Sequence, residues 1–476
     1  MKPIKYHQVS LSDVFSDLKD IFQDDKPKFI ELFESYIDLN QLIPQSFFDS
    51  YYSNTGHPRD FSLVSIISAL IIQKVLSIPT TSLLINVLNL SPQLRSLCGF
   101  KRVPDAAQFS RFKTDFLKEL NIFFNNLVSI TEPICQKINL VLSQILIADT
   151  TGFEAYVKEN NPKFFETISR NIKSFSKNIP NFDAHAYACG KMPKKASSNK
   201  EISLAYINGH FCYAQKAAFI TNGLGIVRHV DFYDDPNHDI SSFESPQDSK
   251  DDYDSKTLIP VLNRYFSVHP NFKSTYNYFL GDSGFDAFDN YKYLVKEHNI
   301  IPVIALNPRN SKNLPEPGTN STGTPTCPNN PNLPMKFDGI TREKGRPDRI
   351  KWLCPLSKKA KIKGKTQYIL SCPNPCTDSK CGRIHHTYIS YNYRLNTAIP
   401  RDTEKWTKLY KKRTVIERTN ASIKDSMCLG SLKLRNTESL KAEVLLACIT
   451  QQIALIIASN MYDEIEHPTS IKFLVA

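Results

Sequence analysis

The sequence YKKRTVIERTNASIK, residues 410–424, has the pattern of an amphipathic helix with one strongly polar stripe. On a helix with about 3.6 residues per turn, Arg413, Glu417 and Lys424 lie within about 60° of the tyrosine that opens the stretch. Beside this stripe runs an apolar one that can face a core, formed by Leu409, Ile416, Ile423 and Met427. The pattern predicts a carboxylate held between two cations and a phenol on a packed helix.

The residues of this helix allow two interpretations. Arg413 and Glu417 stand at i and i+4, a spacing typical of an ion pair on any exposed helix. The spacing Tyr-x2-Arg-x3-Glu-x6-Lys also resembles the signature around the last acidic residue of insertion-sequence DDE transposases. That resemblance implies a ribonuclease-H-like core in which two aspartates, placed upstream at the ends of strands, join Glu417.

Residues 145–151, ILIADTT, form an apolar run that ends in an acid followed by small polar residues. This is typical of a buried strand that presents a carboxylate at its end, although an aspartate in a strand-end turn is also common. The run resembles the strand end that carries the first catalytic acid of DDE transposases, which implies that role for Asp149. Further strands are predicted at 201–208, 210–220 and 225–230.

Residues 278–286, YFLGDSGFD, repeat the order of apolar strand, acid and glycine turn. A helix and a strand follow, so this is a β-α-β unit whose parallel strands gather ligands at their carboxyl ends. The run resembles the family's form around its second acid, which implies that role for Asp282. Asp286 is a weaker candidate because an aspartate there also suits a helix cap.

Residues 1–135 show helical periodicity broken by proline-containing turns, with helices predicted at 63–76 and about 106–128. Short helices joined by tight turns suit a helix-turn-helix-like DNA reader, and they equally suit a bundle used for packing or dimerisation. Residues 98–112 resemble the N-terminal helical domain of the same transposases. The resemblance favours binding of DNA ends by this part of the chain.

Residues 307–394 interrupt the core pattern with a loop rich in Pro, Asn, Thr and Gly, followed by a basic segment. Between Arg342 and Lys365 there are ten basic and two acidic residues, a density that suits contacts with phosphates and also a solvated charged loop. The candidate DNA-binding residues here are Arg346, Arg349, Lys351, Lys358, Lys359, Lys361 and Lys363. Some relatives carry a β-containing insertion that contacts DNA, and this segment resembles one in position.

The same insertion carries cysteines at short spacings, with two histidines close behind them. Thiolates at such spacings can close a tetrahedral zinc site, although reduced structural cysteines are the alternative. The candidate zinc ligands are Cys354, Cys372, Cys376 and Cys381.

Composition limits the possible partners. The 476 residues include 59 basic and 47 acidic side chains, for a net charge of +12, which makes a polyanion a reasonable partner. The first 20 residues lack a signal-peptide pattern, and the longest apolar run, 63–76, is too short to span a bilayer. Eleven cysteines without an export signal argue against a disulfide framework. We therefore expect a cytoplasmic, bacterial, DNA-associated protein that does not enter a membrane.

Together these patterns predict an α/β chain with a ribonuclease-H-like mixed sheet and flanking helices. An all-α N-terminal domain precedes the sheet, and a Cys-rich, β-containing insertion interrupts it. The predicted parts are a DNA-binding domain at 1–135, the first part of the core at 140–306, the insertion at 307–394, the C-terminal part of the core at 395–460 and a loose tail at 461–476.

The resemblance implies a transposase that cleaves DNA at insertion-sequence ends and transfers the strand into target DNA. Two Mg²⁺ (or Mn²⁺) ions would be held by three acids, with Asp149 bridging them and Asp282 and Glu417 binding one each. Arg413 and Lys424 would hold phosphates, and Tyr410 would position DNA. The resemblance also implies a homodimer on double-stranded DNA. A DNA-binding or regulatory protein without catalysis, and a metal-dependent nuclease without strand transfer, are the alternatives.

Overall fold

The computed structural model describes most of the chain, namely residues 28–53, 58–177, 179, 181–207, 210–232, 254–308, 318–362 and 365–474. Its first part is helical, with α1 (Lys28–Tyr36), α2 (Leu39–Leu42), α3 (Gln45–Tyr51), α4 (Leu63–Val75), α5 (Thr81–Leu90), α6 (Pro92–Leu97), α7 (Ala106–Asp115), α8 (Leu117–Ile138) and α9 (Leu140–Ser143). Side chains cap several of these helices at their first turn, as Ser62, Thr80 and Asp105 do for α4, α5 and α7.

The helix predicted at 106–128 is two helices in the structure. The first, α7, ends at Asp115, and the second, α8, begins two residues later and continues to Ile138. Phe116 joins them outside helical geometry, a break that the apolar periodicity does not reveal because its ring is buried like those of its neighbours. The predicted domain boundary at residue 135 therefore falls inside α8.

The centre of the chain is a six-stranded mixed sheet made of β1 (Ile145–Glu154), β2 (Ser203–Ile207), β3 (His210–Asn222), β4 (Val227–Phe232), β5 (Tyr278–Gly281) and β6 (Ile301–Ile304). The strand order is β2-β3-β1-β5-β6, and β4 also pairs with β3. β3 runs antiparallel to β1, whereas β5 runs parallel to β1 and β6 parallel to β5. An antiparallel meander followed by parallel strands is the ribonuclease-H-like arrangement, so the predicted fold class is confirmed.

The later helices are α10 (Pro162–Phe175), α11 (Ala184–Gly190), α12 (Asp254–Val268), α13 (Phe288–His298), α14 (Glu404–Tyr410), α15 (Thr414–Ser426) and α16 (Thr437–Met461). Side chains alternate along β1, so the two faces of the sheet have different partners. Ile145 and Ile147 belong to the hydrophobic cluster that contains α15 and α16, whereas Leu146 and Ala148 belong to the cluster of α12 and α13. The sheet is thus held between two hydrophobic layers.

A β-containing insertion separates β6 from α14, as predicted, and it consists of β7 (Thr326–Cys327), β8 (Asn330–Pro334), β9 (Lys336–Thr341), β10 (Arg349–Leu353), β11 (Ser357–Ile362), β12 (Lys365–Leu370) and β13 (Ile384–Tyr388). β9, β10 and β13 form one antiparallel sheet, and β11 and β12 form a hairpin. Met335, Ile350 and Trp352 give the insertion a small hydrophobic core of its own.

Helix α16 passes through the centre of the protein, where it contacts α4, α7 and α8 as well as β4. Among the described residues it is the one helix long and apolar enough to cross a bilayer, yet 78% of its most apolar window is buried inside the protein. That burial is typical of a core helix.

The segment 461–476, predicted to be a loose tail, is anchored by a few apolar side chains near the end of its described part. Ile471 and Leu474 are buried in the same hydrophobic cluster as α1 and α16, and the Tyr462 and Phe473 rings lie 6.1 Å apart. The prediction was wrong because a few apolar side chains suffice to anchor a short segment once a hydrophobic surface lies beneath it. Residues 475–476 lie outside the described part of the chain.

A buried ionic cluster joins α16 to the N-terminal helices. The carboxylate of Glu443 accepts hydrogen bonds from the ammonium groups of Lys74 on α4 and Lys113 on α7, the second at 2.8 Å. All three side chains are at most 2% exposed. Burial alone would raise the pKa of Glu443, but the two lysines lower it to about 2, so the carboxylate is charged.

Replacing the carboxylate by an amide, Glu443→Gln, should lower the free energy of unfolding by about 3–5 kcal/mol, because two ammonium groups then stay buried without a counter-charge. Denaturant unfolding measures the change. The triple variant Lys74→Met, Lys113→Met, Glu443→Met should be close to wild type in stability, since no buried charge remains. Glu438→Gln, at an exposed position in the first turn of α16, is the matched control. A Glu443→Gln effect as small as that of the control would contradict the assignment.

The same cluster predicts a dependence of stability on acid pH. Because the pKa of Glu443 falls from near 4.3 in an unfolded chain to about 2 in the fold, its contribution is complete above about pH 4.3 and is lost as the pH falls towards 2. The contribution is on the order of 3 kcal/mol. Unfolding measured from pH 5 to pH 2 should therefore show a steeper loss of stability for wild type than for the triple Met variant. Parallel curves would argue against this titration.

Candidate active site

Asp149 and Asp282 occupy matching positions on neighbouring parallel strands. The registered pairs of β1 and β5 end with Ile147 opposite Leu280. Asp149 lies two residues later within β1, and Asp282 lies two residues later, directly after β5 ends at Gly281. Alternation of side chains places Asp149 on the face of Ile147, towards α15. β1 itself continues to Glu154, so Asp149 marks the end of the parallel pairing and not the strand end that the sequence predicted.

Helix α15 lies across this part of β1, and contacts on its buried side hold it in place. Ile416 and Ile423 are buried in the hydrophobic cluster beneath the helix, and the Thr419 hydroxyl donates to the carbonyl of Gly225 at 2.8 Å. Gly225 has φ +85°, and a Cβ added there would lie 2.8 Å from the Thr419 hydroxyl oxygen. A glycine at this turn thus permits the close approach of the helix to the sheet.

The predicted polar stripe is present, although the helix that carries it is not continuous. α14 ends at Tyr410, a 3₁₀ turn spans Lys411–Arg413, and α15 begins at Thr414. Arg413 donates to the Glu417 carboxylate at 2.6 Å, and its guanidinium carbon lies 5.8 Å from the centroid of the Tyr410 ring. Tyr410 in turn stacks on Trp406 at a ring separation of 4.6 Å.

Two cations of this stripe interact electrostatically with Asp149. Burial lowers the pKa of Arg413, but the hydrogen bond and charge of Glu417, with the charges of Tyr410 and Asp149, outweigh it and raise the pKa. Burial lowers the pKa of Lys424, and Asp149 is among the groups that oppose this change. The raised pKa keeps Arg413 cationic, so Asp149 has a positive charge in its surroundings.

The sequence did not predict a role for Asn420. This residue joins α15 to Asp149. Its amide nitrogen donates to Asp149 Oδ2 at 3.1 Å, while its own Oδ1 is buried and has no hydrogen-bond partner among the described residues. One turn separates it from Glu417, so the two side chains share a side of α15. The position of Asn420, three residues after Glu417 and therefore on the polar stripe, could have identified it from the sequence.

Asp286, the weaker candidate from the sequence, has a structural role. Its carboxylate accepts two hydrogen bonds from Arg394, at 2.8 and 2.7 Å, one from the Tyr291 hydroxyl at 2.9 Å and one from the backbone N–H of Asn307 at 2.7 Å. The N-cap position of α13 is Ala287, so the Asp286 side chain does not cap that helix. The ion pair with Arg394 attaches the chain to the core at the point where it leaves the insertion.

Acidic neighbours compensate part of the basic surface of the insertion. Arg346 and Arg349 pair with Glu343, the first at 3.0 Å. Lys351 and Lys359 lie 2.9 and 3.9 Å from the carboxylate oxygens of Asp338, which precedes the basic segment in sequence.

The remaining lysines of the basic segment differ in exposure. Lys358 and Lys361 are exposed on β11, whereas Lys363 lies outside the described residues. The exposed lysines are the better candidates for contacts with phosphates.

The four insertion cysteines are not brought together. No three of the thiols of Cys354, Cys372, Cys376 and Cys381, all of which the structure describes, lie within 4.8 Å of one another. Cys354 is buried after β10, and the Cys381 thiol lies 2.9 Å from the Ser379 hydroxyl. The four-thiolate zinc site therefore stays a prediction, because the described thiols do not form a compact cluster and spacing in the sequence does not specify where the hairpins direct the side chains.

Comparison with known families gives two matches in the order expected from the fold. A transposase domain (DUF772) matches residues 16–115, and a transposase DDE domain matches residues 192–452, more than half of the chain. The chain belongs to the DDE transposase family. The second match includes Asp282 and Glu417 but begins after Asp149, whose assignment therefore depends on the register of β1 and β5. A comparison with curated proteins gives no match.

Members of the family act on DNA and use divalent metal ions, so the chain is a transposase whose substrate is DNA. An all-oxygen set of carboxylates beside a buried amide oxygen fits a hard cation such as Mg²⁺.

The two neighbouring aspartates should respond differently to amide substitution. Asp286→Asn leaves Arg394 buried without its counter-charge and should cost about 3–5 kcal/mol of unfolding free energy. Asp282→Asn keeps the turn, in which the side chain accepts from the N–H of Gly284 at 2.8 Å, and should change stability by less than about 1 kcal/mol while abolishing DNA cleavage. Urea unfolding and a nicking assay on both variants provide the comparison. A large loss of stability in Asp282→Asn would indicate that Asp282, and not Asp286, has the structural role.

Proposed function

We propose that the chain catalyses metal-dependent cleavage of DNA at the ends of an insertion sequence and transfers the freed strand into target DNA. The observations that carry the proposal are the placement of Asp149 and Asp282 at neighbouring parallel strands and the contact of the Glu417 helix with Asp149. Asp149 and Asp282 follow the same registered pair of parallel strands, and the hydrogen bond from Asn420 joins Asp149 to the helix of Glu417.

Asp149, Asp282 and Glu417 would hold the metal ions. When bound, two Mg²⁺ ions would activate the attacking oxygen and stabilise the leaving oxygen of an in-line displacement. Glu417 is half exposed and already hydrogen bonded to Arg413, so it can rotate towards a ligand without unpacking its helix. The buried, unpartnered Oδ1 of Asn420 offers a further oxygen donor beside Asp149.

The cations around the acids would bind the DNA backbone. Arg413 has a buried Nε without a hydrogen-bond partner among the described residues, which leaves a donor for a phosphate oxygen. Lys424 would contribute a second positive charge, and Tyr410 would position the strand. Exposed lysines on β11 would contact DNA farther from the cut. We further propose that the chain acts as a homodimer on double-stranded DNA in the bacterial cytoplasm, with the N-terminal helices binding the ends.

The experiment that tests this proposal is Mg²⁺-dependent nicking and strand transfer on the element's own end sequences. Glu417→Gln should lose both activities, because an amide supplies no anionic ligand, while folding and end binding persist. Glu404→Gln, on an exposed glutamate of the preceding α14, is the matched control and should be fully active. Equal activity in the two variants would remove Glu417 from the site.

The same assay separates the alternatives. A regulatory protein without catalysis would bind the ends specifically and cut them in neither form. A nuclease would nick in a Glu417-dependent way but would not join the ends to an added target duplex. Strand transfer by wild type, absent from Glu417→Gln, supports the transposase.

Asn420→Ala should reduce the cleavage rate by about 10–100-fold, the range expected when a group that orients a metal-binding carboxylate is lost. The Mg²⁺ concentration needed for half-maximal activity should rise as well, which a general loss of packing would not produce. Ser422→Ala, two residues on and on another side of the helix, serves as the control. An unchanged Mg²⁺ requirement in Asn420→Ala would show that the hydrogen bond to Asp149 has no role in the site.

A further inference from the structure

A second cluster of potential metal ligands lies at the C-terminal end of β1. The ligand atoms of Glu154, His210 and Cys212 all lie within 4.8 Å of one another, and His210 Nε2 is 2.9 Å from Glu154 Oε1. Among the described residues it is the one group of three or more such side chains at this spacing. Five residues separate Glu154 from Asp149, a distance of about 16 Å along the strand, so this cluster is distinct from the candidate active site.

The sheet register explains why these side chains converge. Glu154 pairs with Ala214 across β1 and β3, which puts it on the same face as Cys212 and His210, two and four residues back along β3. β1 ends at Glu154. The three side chains on this face line a cleft.

The cleft contains further groups that bind metals. It has a volume of about 510 Å³, and its lining includes all three cluster residues together with His185 and Cys189. These two stand one turn apart on α11, with Nδ1 and Sγ 3.8 Å apart. Two imidazoles, two thiols and the carboxylates of Glu154 and Glu159 thus line one cleft, a donor set whose nitrogen and sulfur atoms favour a borderline metal over Mg²⁺.

We propose that Glu154, His210 and Cys212 bind a divalent transition-metal ion, with Zn²⁺ the expected occupant. A tetrahedral zinc site has bonds of about 2.0–2.3 Å, so its ligand atoms lie roughly 3.3–3.8 Å apart. The cluster reaches this spacing through small side-chain rotations, since Glu154 and His210 are about half exposed. Three protein ligands leave a fourth position open to water or to the second histidine and cysteine.

A metal site at these residues requires the Cys212 thiol, which a simple ion pair of Glu154 and His210 does not. The Glu154–His210 contact would persist without the thiol, whereas metal binding replaces the thiol proton, which goes to solvent, and makes the sulfur a ligand. Burial, aided by the charge of Glu154, raises the pKa of Cys212 to about 11, so the metal-free residue is a neutral thiol. The charges of Glu154 and Cys212 also act on Lys424, so a bound metal would alter the surroundings of that active-site cation.

Cobalt titration of the full chain, first freed of metal with a chelator, tests the site. Wild type should bind one Co²⁺ with a thiolate-to-cobalt charge-transfer band, which the all-oxygen set at the three acids cannot produce. Cys212→Ser should lose the band, and Cys376→Ser, in the insertion, should keep it. A band that survives in Cys212→Ser, one that disappears in Cys376→Ser, or no band in wild type would overturn the proposal.

A second variant covers the case in which Cys212→Ser fails to fold. Glu154→Gln combined with His210→Gln changes two half-exposed side chains and should leave the fold intact, as far-ultraviolet circular dichroism can verify. It should weaken Co²⁺ and Zn²⁺ binding by about tenfold or more, since the loss of an outer partner alone costs that much. Zn²⁺ should also raise the Tm of wild type and not that of the double variant. Equal affinity in the two proteins would exclude these side chains as ligands.

Discussion

A carboxylate that is buried beyond the reach of water must have cations beside it, and Glu443 imposes this condition on the centre of the protein. Its partners, Lys74 and Lys113, lie on α4 and α7, more than 300 residues away in sequence. α16 can therefore enter the core only if the N-terminal helices stand in one arrangement around it. The N-terminal helices and the sheet are consequently parts of one packed body and share a hydrophobic cluster.

The same helix also positions the candidate active site. Two turns beyond Glu443, Gln451 accepts from the Val227 N–H at 2.9 Å and Gln452 donates to the Val227 carbonyl at 2.7 Å. These bonds hold the start of β4, next to the turn at Gly225 on which α15 rests. A series of hydrogen bonds thus connects α16 to the candidate site: the turn at Gly225 supports the helix of Glu417, and that helix contacts Asp149 through Asn420.

The insertion illustrates how a long segment can interrupt a sheet without disturbing it. Its hairpins have their own small core, and the buried pair of Asp286 and Arg394 returns the chain to the sheet beside β6. Charge counting along the sequence overstated its basic surface, because Asp338 lies on the neighbouring strand and compensates two of the lysines. The insertion cysteines show the same limit, since spacing along the chain does not specify which side chains will meet.

The sequence by itself determined the α/β class and the helical stripe of Arg413 and Glu417, because these follow from local periodicity and from spacings within a few turns. The ribonuclease-H-like core and the β content of the insertion were predicted from the resemblance that those motifs carry. The sequence also led to the prediction that Asp149 and Asp282 are catalytic acids, since each follows an apolar run in the sequence. Only the tertiary structure decided the partner of Asp149, the structural role of Asp286 and the meeting of Glu154, His210 and Cys212. Each of these depends on strand register or on the packing of helices that are distant in sequence, and a single sequence without its fold contains no local pattern that specifies such contacts.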